Sequence, residues 1–198
     1  MAPFLFGERL GHTIFDLDQT AVYLEAALNF IAHIAYRDGI IMFVSRNPAT
    51  CLMIEDLAKE VGEFAHTRRW MTDILTSPLN TFGGMTRLPE LLIFLNTLDT
   101  VLEPHVGTRD AAKMLIPTVA VVDSNCNPNR ITYPIPGNDD SMASIELYCK
   151  LFKEAIHMGK AERRRQQEKK DTAEATAKAT AEATAEEESA NVRESASS

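Results

Sequence analysis

The first half of the chain alternates between amphipathic and uniformly apolar segments. From Asp18 onward, apolar residues recur at about four-residue spacing, which predicts a helix with Gly39 in the first position beyond its end. The unbroken apolar run IIMFV at 40–44 predicts a strand that is buried on both faces. Pro48 then marks the first turn of a second helix, for which Gly62 is the predicted cap.

The same order of strand, short loop and helix recurs in the second half. Two uniformly apolar runs predict strands there, and ITYPI predicts an edge strand, because a proline cannot donate a hydrogen bond to a central ladder. The strands are predicted at 90–96, 117–123 and 131–135, and the helices at about 103–114 and 142–158. Strands that alternate with helices through short loops predict an α/β fold, a parallel sheet with helices on both faces.

The composition changes at about residue 160 and divides the chain into two predicted parts. Residues 1–159 form the α/β domain. Residues 160–198 are rich in Ala, Thr and Glu and hold almost no large apolar residue. Such a segment cannot bury enough surface to offset its ordering entropy, so we expect a helical extension that passes into disorder.

Charge is distributed unevenly along the chain. Residues 1–159 hold 12 Lys and Arg against 19 Asp and Glu, a net charge of −7, and residues 160–198 hold 8 against 9. The second part begins with the basic runs RRR and KK and continues with the acidic run EEE. An acidic body excludes extensive coating by nucleic acid, since phosphate affinity comes from Lys and Arg, but it permits a local basic patch.

Cysteine usage and the amino-terminal residues bear on the cellular compartment. Cys51, Cys126 and Cys149 are an odd number without CxxC spacing, which argues against disulfides and zinc and favours a reducing compartment. No apolar run approaches the roughly 20 residues of a membrane span. The opening MAPFLFGERLGH has the features of neither a secretory signal nor a transit peptide, so we expect either a protein that is not imported into an organelle or a fragment.

The stretch IFDLDQT at 14–20 raises the possibility of chemistry. In a magnesium-dependent, haloacid dehalogenase-like phosphatase, Asp16 would be the nucleophile and Asp18 the general acid. The remaining residue types for such a site are present as Lys113, Asp123, Asp139 and Asp140. The simpler interpretation makes Asp18 a helix N-cap and the later acids turn and first-turn residues, because strand-to-helix turns prefer these residue types.

The cluster HTRRW at 66–70 is a second candidate site. Arg68, Arg69 and Trp70 combine fixed charge, planar donors and a stacking surface, which suit a phosphate backbone or an unstacked base. The alternative is a surface salt-bridge patch with a half-buried tryptophan. The histidines at 66, 105 and 157 lie on different predicted elements without ligand spacing, which favours surface or hydrogen-bonding roles over metal binding.

The longest motifs resemble the ribosomal protein S2 family of the small subunit. The opening 1–31 resembles the family pattern FG-R…I-DL-[ED]-T…L..AL.FI, and GIIMFVSRN, EFAHTRRW and LPELLIFLN continue the match. The run RDAAKMLIPTVAVVDSNCNPNRITYPIPGNDDS is its most specific part. Together these motifs cover about residues 3–153 in the family's order.

The resemblance implies a Rossmann-like, flavodoxin-like fold of the mitochondrial type. Bacterial members insert a long helical hairpin between the LT turn and the LP strand, where this chain has only SPLNTFGGMTR at 77–87. The EPHV and NCNP motifs also resemble mitochondrial members. The family's basic segment ahead of the FG-R motif is missing here, as is a transit peptide, so the resemblance implies an N-terminally truncated product or a chain that begins at an internal start.

The resemblance implies a structural rather than catalytic role in the mitochondrial small ribosomal subunit, without a cofactor, metal, membrane or small-molecule substrate. The implied partners are small-subunit rRNA and neighbouring ribosomal proteins. By position on the matching motifs, the candidate rRNA contacts are Arg9, Arg46, Arg68, Arg69 and Trp70. Thr72 and Asp73 stand where the family usually has Gly-Gly, so we expect this turn to approach RNA less closely and its acid to repel phosphate.

Overall fold

The computed structural model describes residues 1–84, 86–100 and 103–195, with side chains described at these positions except 80, 82 and 174–195. The chain forms two compact units, Met1–Lys160 and Ala161–Ser198. Within the described ranges, no helix combines the length and the apolar character that a bilayer crossing requires. The predicted disorder of the C-terminal extension stays a prediction.

Seven strands and five helices make up the described regular structure. The strands are β1 Leu5–Arg9, β2 His12–Phe15, β3 Ile41–Val44, β4 Phe64–His66, β5 Leu91–Phe94, β6 Thr118–Val122 and β7 Tyr133–Pro136. The helices are α1 Leu17–Tyr36, α2 Cys51–Val61, α3 Pro78–Phe82, α4 Val106–Lys113 and α5 Met142–Ser195. Strands β3 to β7 form a parallel sheet in the order β4-β3-β5-β6-β7, and β1 and β2 form a separate antiparallel hairpin.

The predicted α/β fold is confirmed, and its strand order is that of the flavodoxin-like class. Because side chains alternate along a strand, each central strand contributes to two cores. Ile41 and Phe43 of β3 pack in a core with α1, α2 and α5, whereas Val44 packs in a second core with α4. Helices therefore cover both faces of the sheet, as the unbroken apolar runs predict.

The boundaries of α1 differ from the sequence prediction at both ends. Asp16, not Asp18, is the N-cap, and its Oδ1 accepts the backbone N–H of Asp18 at 3.2 Å. At the other end the left-handed residue is Asp38, with φ of 62°, and Gly39 follows it. The Gly39 N–H donates to the carbonyl of Ile34 at 3.0 Å, which completes a Schellman turn. A short polar side chain tolerates the left-handed conformation, so the cap does not require glycine there.

Several other elements depart from the expected pattern. Helix α2 begins at Cys51 rather than near Pro48, although Gly62 is its cap with φ of 70°. Helix α5 continues beyond Met158, because no Gly or Pro follows Gly159 and Ala, Glu, Gln, Lys and Arg all favour helix. The five-residue helix α3 lies where bacterial relatives were expected to have a hairpin, and Met85 of this segment lies outside the described residues.

Candidate functional site

The parallel sheet brings the loops that follow its five strands to one edge, which we call the carboxyl edge. In open α/β sheets, ligands bind outside the carboxyl ends of the strands, near the point where the strand order reverses. Here that point lies between β3 and β5, and a cleft of about 540 Å³ opens beside it. Residues of the loops after β3, β5, β6 and β7 line the cleft, among them Arg46, Asn96, Asp99, Asn125 and Asp139.

Buried hydrogen bonds fix three of these loops to one another. The hydroxyl of Ser45, which is 1% exposed, donates to Oδ1 of Asn96 at 2.8 Å. The amide of Asn96 in turn donates to the backbone carbonyl of Asp139 at 3.0 Å. The three residues follow β3, β5 and β7, so the carboxyl edge is a rigid platform rather than a set of independent loops.

Arg46 lies on this platform but is engaged within the protein. Its guanidinium forms an ion pair with the carboxylate of Asp99 and also donates to the Asp99 carbonyl at 3.2 Å. The Arg46 side chain keeps 35% of its surface exposed. An RNA phosphate would therefore have to share this guanidinium with Asp99.

Trp70 does not present a stacking surface, contrary to the sequence expectation. The residue is 6% exposed, and its indole Nε1 donates to Oδ2 of Asp110 on α4 at 3.1 Å. Its ring also meets His66 and His105 edge to face, at centroid distances of 5.1 and 5.6 Å. An apolar ring with a polar edge is buried here because α4 supplies a carboxylate for its N–H. We therefore remove Trp70 from the candidate RNA contacts.

Arg68 and Arg69 are exposed on the turn that Trp70 anchors. The hydroxyl of Thr67 holds the start of this turn by donating to Oε1 of Glu55 at 2.5 Å. That hydrogen bond lowers the pKa of the Glu55 carboxyl, and the positive charge of Arg68 lowers it further. The turn thus presents two guanidinium groups to solvent from a backbone that is fixed on both sides. Arg9 is exposed as well, but it lies on the hairpin strand β1, outside the parallel sheet.

His105 is buried and His66 is half-buried, which the sequence did not indicate. His105 is 2% exposed, and its Nδ1 accepts the N–H of Gly107 at 3.1 Å as the N-cap of α4. The pKa of His105 is lowered to about 4, chiefly by burial and also by the nearby His66 and Arg46. Burial also lowers the pKa of His66. Among the described residues, the Nε2 atom of neither ring has a hydrogen-bond partner.

Three carboxylates meet on the other side of the cleft. Oxygen atoms of Asp123, Asp139 and Asp140 lie within 4.8 Å of one another. Asp139 is 7% exposed, and its pKa is raised to about 7, chiefly by burial and also by the charges of Asp123 and Asp140. Carboxylates this close can share a proton, and their oxygens are also ligands that hard cations such as Mg²⁺ accept.

The arrangement does not assemble a phosphatase site. Asp16 follows the hairpin strand β2 and not a strand of the parallel sheet, and its carboxylate caps α1. Lys113 ends α4 ahead of β6, whereas Asp123 follows the far end of that strand. A five-residue strand spans roughly 17 Å, so Lys113 and Asp123 lie at opposite edges of the sheet. Lys113 Nζ instead lies 3.6 Å from the carboxylate of Asp110.

The turn that holds Asp73 keeps a conformation that favours glycine. Asp73 has φ of 76°, in the left-handed region. Its side chain is exposed, and Oδ1 accepts the hydroxyl of Thr76 at 3.0 Å. The left-handed backbone conformation that glycine favours is thus retained at this residue. Its negative charge lies four residues beyond the exposed Arg69.

The fold and this edge define a flavodoxin-like α/β protein whose candidate site is a binding surface built around exposed arginines. The family model for ribosomal protein S2 matches residues 1–80 and 73–159, and the chain belongs to that family. It is 55% identical over 164 residues to small ribosomal subunit protein uS2m of Bos taurus, covering 83% of this chain and 56% of that protein.

Bacterial relatives are more distant but extend over a similar share of the chain. Small ribosomal subunit protein uS2 of Rickettsia canadensis is 32% identical over 206 residues, covering 82% of this chain and 68% of that protein. The Rickettsia prowazekii protein is 32% identical over 203 residues, covering 80% and 67%. The chain thus spans just over half of its bovine relative and about two thirds of the bacterial ones. The phosphatase alternative finds no support in these relationships.

Proposed function

We propose that this chain is a structural constituent of the mitochondrial small ribosomal subunit, docking on small-subunit rRNA and on neighbouring ribosomal proteins. The observation that carries the proposal is its 55% identity to bovine uS2m over 83% of the chain. Because the chain spans 56% of that relative, the location in mitochondria and the partners of the whole protein are part of the proposal.

The rRNA contacts in this proposal are Arg68 and Arg69, together with Arg46 and Arg9. A guanidinium donates two parallel hydrogen bonds to a phosphate and carries a permanent charge, which makes exposed arginines effective backbone contacts. Trp70 is a positioning residue, because it fixes the turn from within the core. Arg46 contributes through its exposed fraction while it remains paired with Asp99.

Neighbouring proteins are the second class of partner. The net charge of −7 on residues 1–159 cannot supply a large electrostatic footprint on RNA, so most of that surface is free for protein contacts. The role is non-catalytic in this proposal. Purified protein should therefore not hydrolyse a generic phosphate ester in the presence of Mg²⁺, and turnover that disappears in Asp16→Asn would favour the phosphatase instead.

The decisive experiment is charge reversal at the exposed turn. Arg68→Glu combined with Arg69→Glu should weaken co-sedimentation of the chain with the mitochondrial small subunit in density gradients, because both phosphate contacts become repulsive. Arg37→Glu combined with Lys150→Glu changes the net charge equally at exposed positions elsewhere and should sediment like the unmodified chain.

Two results would contradict different parts of the proposal. Normal sedimentation of the Arg68 and Arg69 variant would remove these residues from the rRNA contact. Failure of the unmodified chain to sediment with the small subunit would overturn the ribosomal function itself.

A further inference from the structure

The middle of helix α5 carries a dense group of positive charges, which we call the basic segment, residues 163–170. Its sequence is RRRQQEKK, with five Lys and Arg and one Glu, a net charge of +4. All five cationic side chains are exposed. The preceding 159 residues carry a net charge of −7, so the segment is a strong local reversal of sign.

We propose that the basic segment binds the phosphate backbone of RNA. This inference rests on the proposed ribosomal function and deepens it, since it names a second RNA contact in the C-terminal unit. The segment belongs to the second of the two compact units, Ala161–Ser198.

Helical geometry distributes these charges around the circumference of the helix. At 3.6 residues per turn, Arg163, Gln167 and Lys170 follow one another along one side, and Arg164 lies next to them. Arg165 and Lys169, four residues apart, lie on the opposite side, so the segment presents positive charge to phosphates in every direction around its axis. Residues 163 to 170 cover roughly 10 Å along the axis, a length along which one nucleic-acid strand presents about three phosphates.

Ion pairs within the helix do not prevent such a contact. Arg165 lies 3.3 Å from Glu162, and both side chains are largely exposed at 69% and 46%. An exposed pair of this kind changes an equilibrium constant by only about twofold, so a phosphate can displace the carboxylate. Gln167 extends the polar surface between Arg163 and Lys170 and offers an additional donor to a phosphate oxygen.

The chemistry of the segment favours RNA over an anionic membrane. A helix that lies in a bilayer interface needs an apolar face opposite its basic face. Residues 161–173 read AERRRQQEKKDTA, in which alanine is the only apolar residue type. Such a helix can be attracted to polyanions by charge, but it has no side chains with which to insert into lipid.

The test compares two full-length variants of equal net charge. The first replaces the five basic residues of the segment by Gln, which keeps high helix propensity: R163Q, R164Q, R165Q, K169Q and K170Q. The matched control replaces five basic residues of the first unit, four of them exposed and Lys153 half-buried: R37Q, K59Q, R87Q, K150Q and K153Q. Circular dichroism checks that both variants retain the helix content of the unmodified chain.

The measurement is the salt dependence of binding to a labelled RNA duplex of about 20 base pairs, followed by fluorescence anisotropy. Each phosphate contact contributes about 0.7–0.9 to the slope of log K against log salt. The segment variant should lose about 2 to 4 from that slope and bind at least about tenfold more weakly at low salt. The control variant should keep its slope to within about 1.

The possible outcomes distinguish failure of this RNA-binding inference from failure of the proposed ribosomal function. An unchanged slope in the segment variant overturns the inference, and so does lost binding to phosphatidylserine vesicles with RNA binding retained. If the unmodified chain sediments with the small subunit while the segment variant keeps its RNA slope, only the inference fails. If the unmodified chain does not sediment with the subunit, the proposed function fails whatever the RNA result.

Discussion

Trp70 and Asp110 are joined by a buried hydrogen bond of 3.1 Å between indole Nε1 and carboxylate Oδ2, across 40 residues of sequence. This contact ties the turn after β4 to helix α4. It explains why Arg68 and Arg69 are exposed while the residue that follows them is 6% exposed. The arginines are thus presented by a fixed backbone, which lowers the conformational entropy that RNA binding would cost.

Removing the indole donor should destabilise the domain. In Trp70→Phe a smaller aromatic ring replaces the indole and the N–H is lost, so the Asp110 carboxylate keeps only Arg109 Nε and Lys113 Nζ, at 3.7 and 3.6 Å. An unsatisfied buried acceptor costs about 1–3 kcal/mol, so the free energy of unfolding measured with urea should fall by that amount.

A double-mutant cycle with Asp110→Ala, which removes the acceptor, serves as the control for this contact. If the hydrogen bond between Trp70 and Asp110 is formed, the losses in unfolding free energy of the two single variants should not be additive. If Trp70 instead stacked on a base, Trp70→Phe would leave the stability unchanged, because the ring that contacts RNA would already be exposed.

Neutralising Asp73 should strengthen RNA binding without harming the turn. Asn tolerates the φ of 76° as Asp does, and its carbonyl oxygen can still accept the Thr76 hydroxyl. Loss of one exposed charge near Arg69 changes the binding free energy by about 0.2–1 kcal/mol, so Asp73→Asn should bind RNA up to about fivefold more tightly at low salt. Anisotropy at two salt concentrations measures this, and an equal gain at high salt would contradict an electrostatic cause.

The central sheet could be predicted from the sequence because its strands are buried on both faces. The runs at β3, β5 and β6 are apolar without interruption, so local composition alone identifies them. Strand β7 was predicted at the edge because of its prolines, and it pairs only with β6. The local sequence of these strands is sufficient to predict them, without information about the elements that pack against them.

Strand β4 and the hairpin carry no such signal. Phe64–His66 is three residues long and pairs with Met42, Phe43 and Val44 of β3, so it becomes a strand through a tertiary contact. The hairpin strands β1 and β2 show mostly exposed positions and no regular alternation. Neither length nor periodicity could have revealed them.

The residues of the candidate site likewise divide into those that local sequence predicts and those that depend on tertiary contacts. Exposure of Arg68 and Arg69 follows from local polarity, and sequence alone suggested both. Burial of Trp70 and His105 depends on Asp110 and on each other, and 35 or more residues separate Trp70 from both partners. Spacing along the chain gives no indication of such a contact, so local sequence predicts a stacking surface at Trp70 where the structure has a buried ring.

His105 should make the domain sensitive to acid. Its folded pKa is about 4, below the usual 6.5, so the unfolded chain binds more protons between these values and stability falls as pH drops from 6.5 toward 4. At about 1.4 kcal/mol for each pKa unit, the contribution lost is up to about 3 kcal/mol. His105→Asn keeps an acceptor for the Gly107 N–H and removes the titrating ring.

Urea unfolding at pH 7 and pH 4.5 checks this difference between the two proteins. The variant should lose less stability than the unmodified chain over that interval, even if lost packing lowers its stability at both values. His157→Asn, an exposed position on α5, is the matched control and should leave the pH dependence as it is. If the free energy of unfolding depended on pH in the same way in His105→Asn and in the unmodified chain, His105 would not be the cause of the acid sensitivity.

Asp139 should make the domain less stable as pH rises, which is the opposite of the effect of His105, over nearly the same range of pH. Its pKa is raised from 3.8 to about 7 by burial and by the charges of Asp123 and Asp140. The folded protein therefore binds the proton more tightly than the unfolded chain, and its contribution is lost as pH rises from about 4 through 7. Asp139→Asn removes the charge, so between pH 5 and pH 8 the variant should gain about 1–4 kcal/mol relative to the unmodified chain.

Thermal or urea unfolding in the presence of a chelator measures this gain, since a bound cation would also relieve the repulsion. Asp140→Asn is the graded control: it is exposed and removes only one neighbouring charge, so its gain should be smaller. Equal pH profiles for Asp139→Asn and the unmodified chain would show that the carboxyl is already ionised at pH 5. In that case the hydrogen bonds of the cluster, and not burial, would govern its charge.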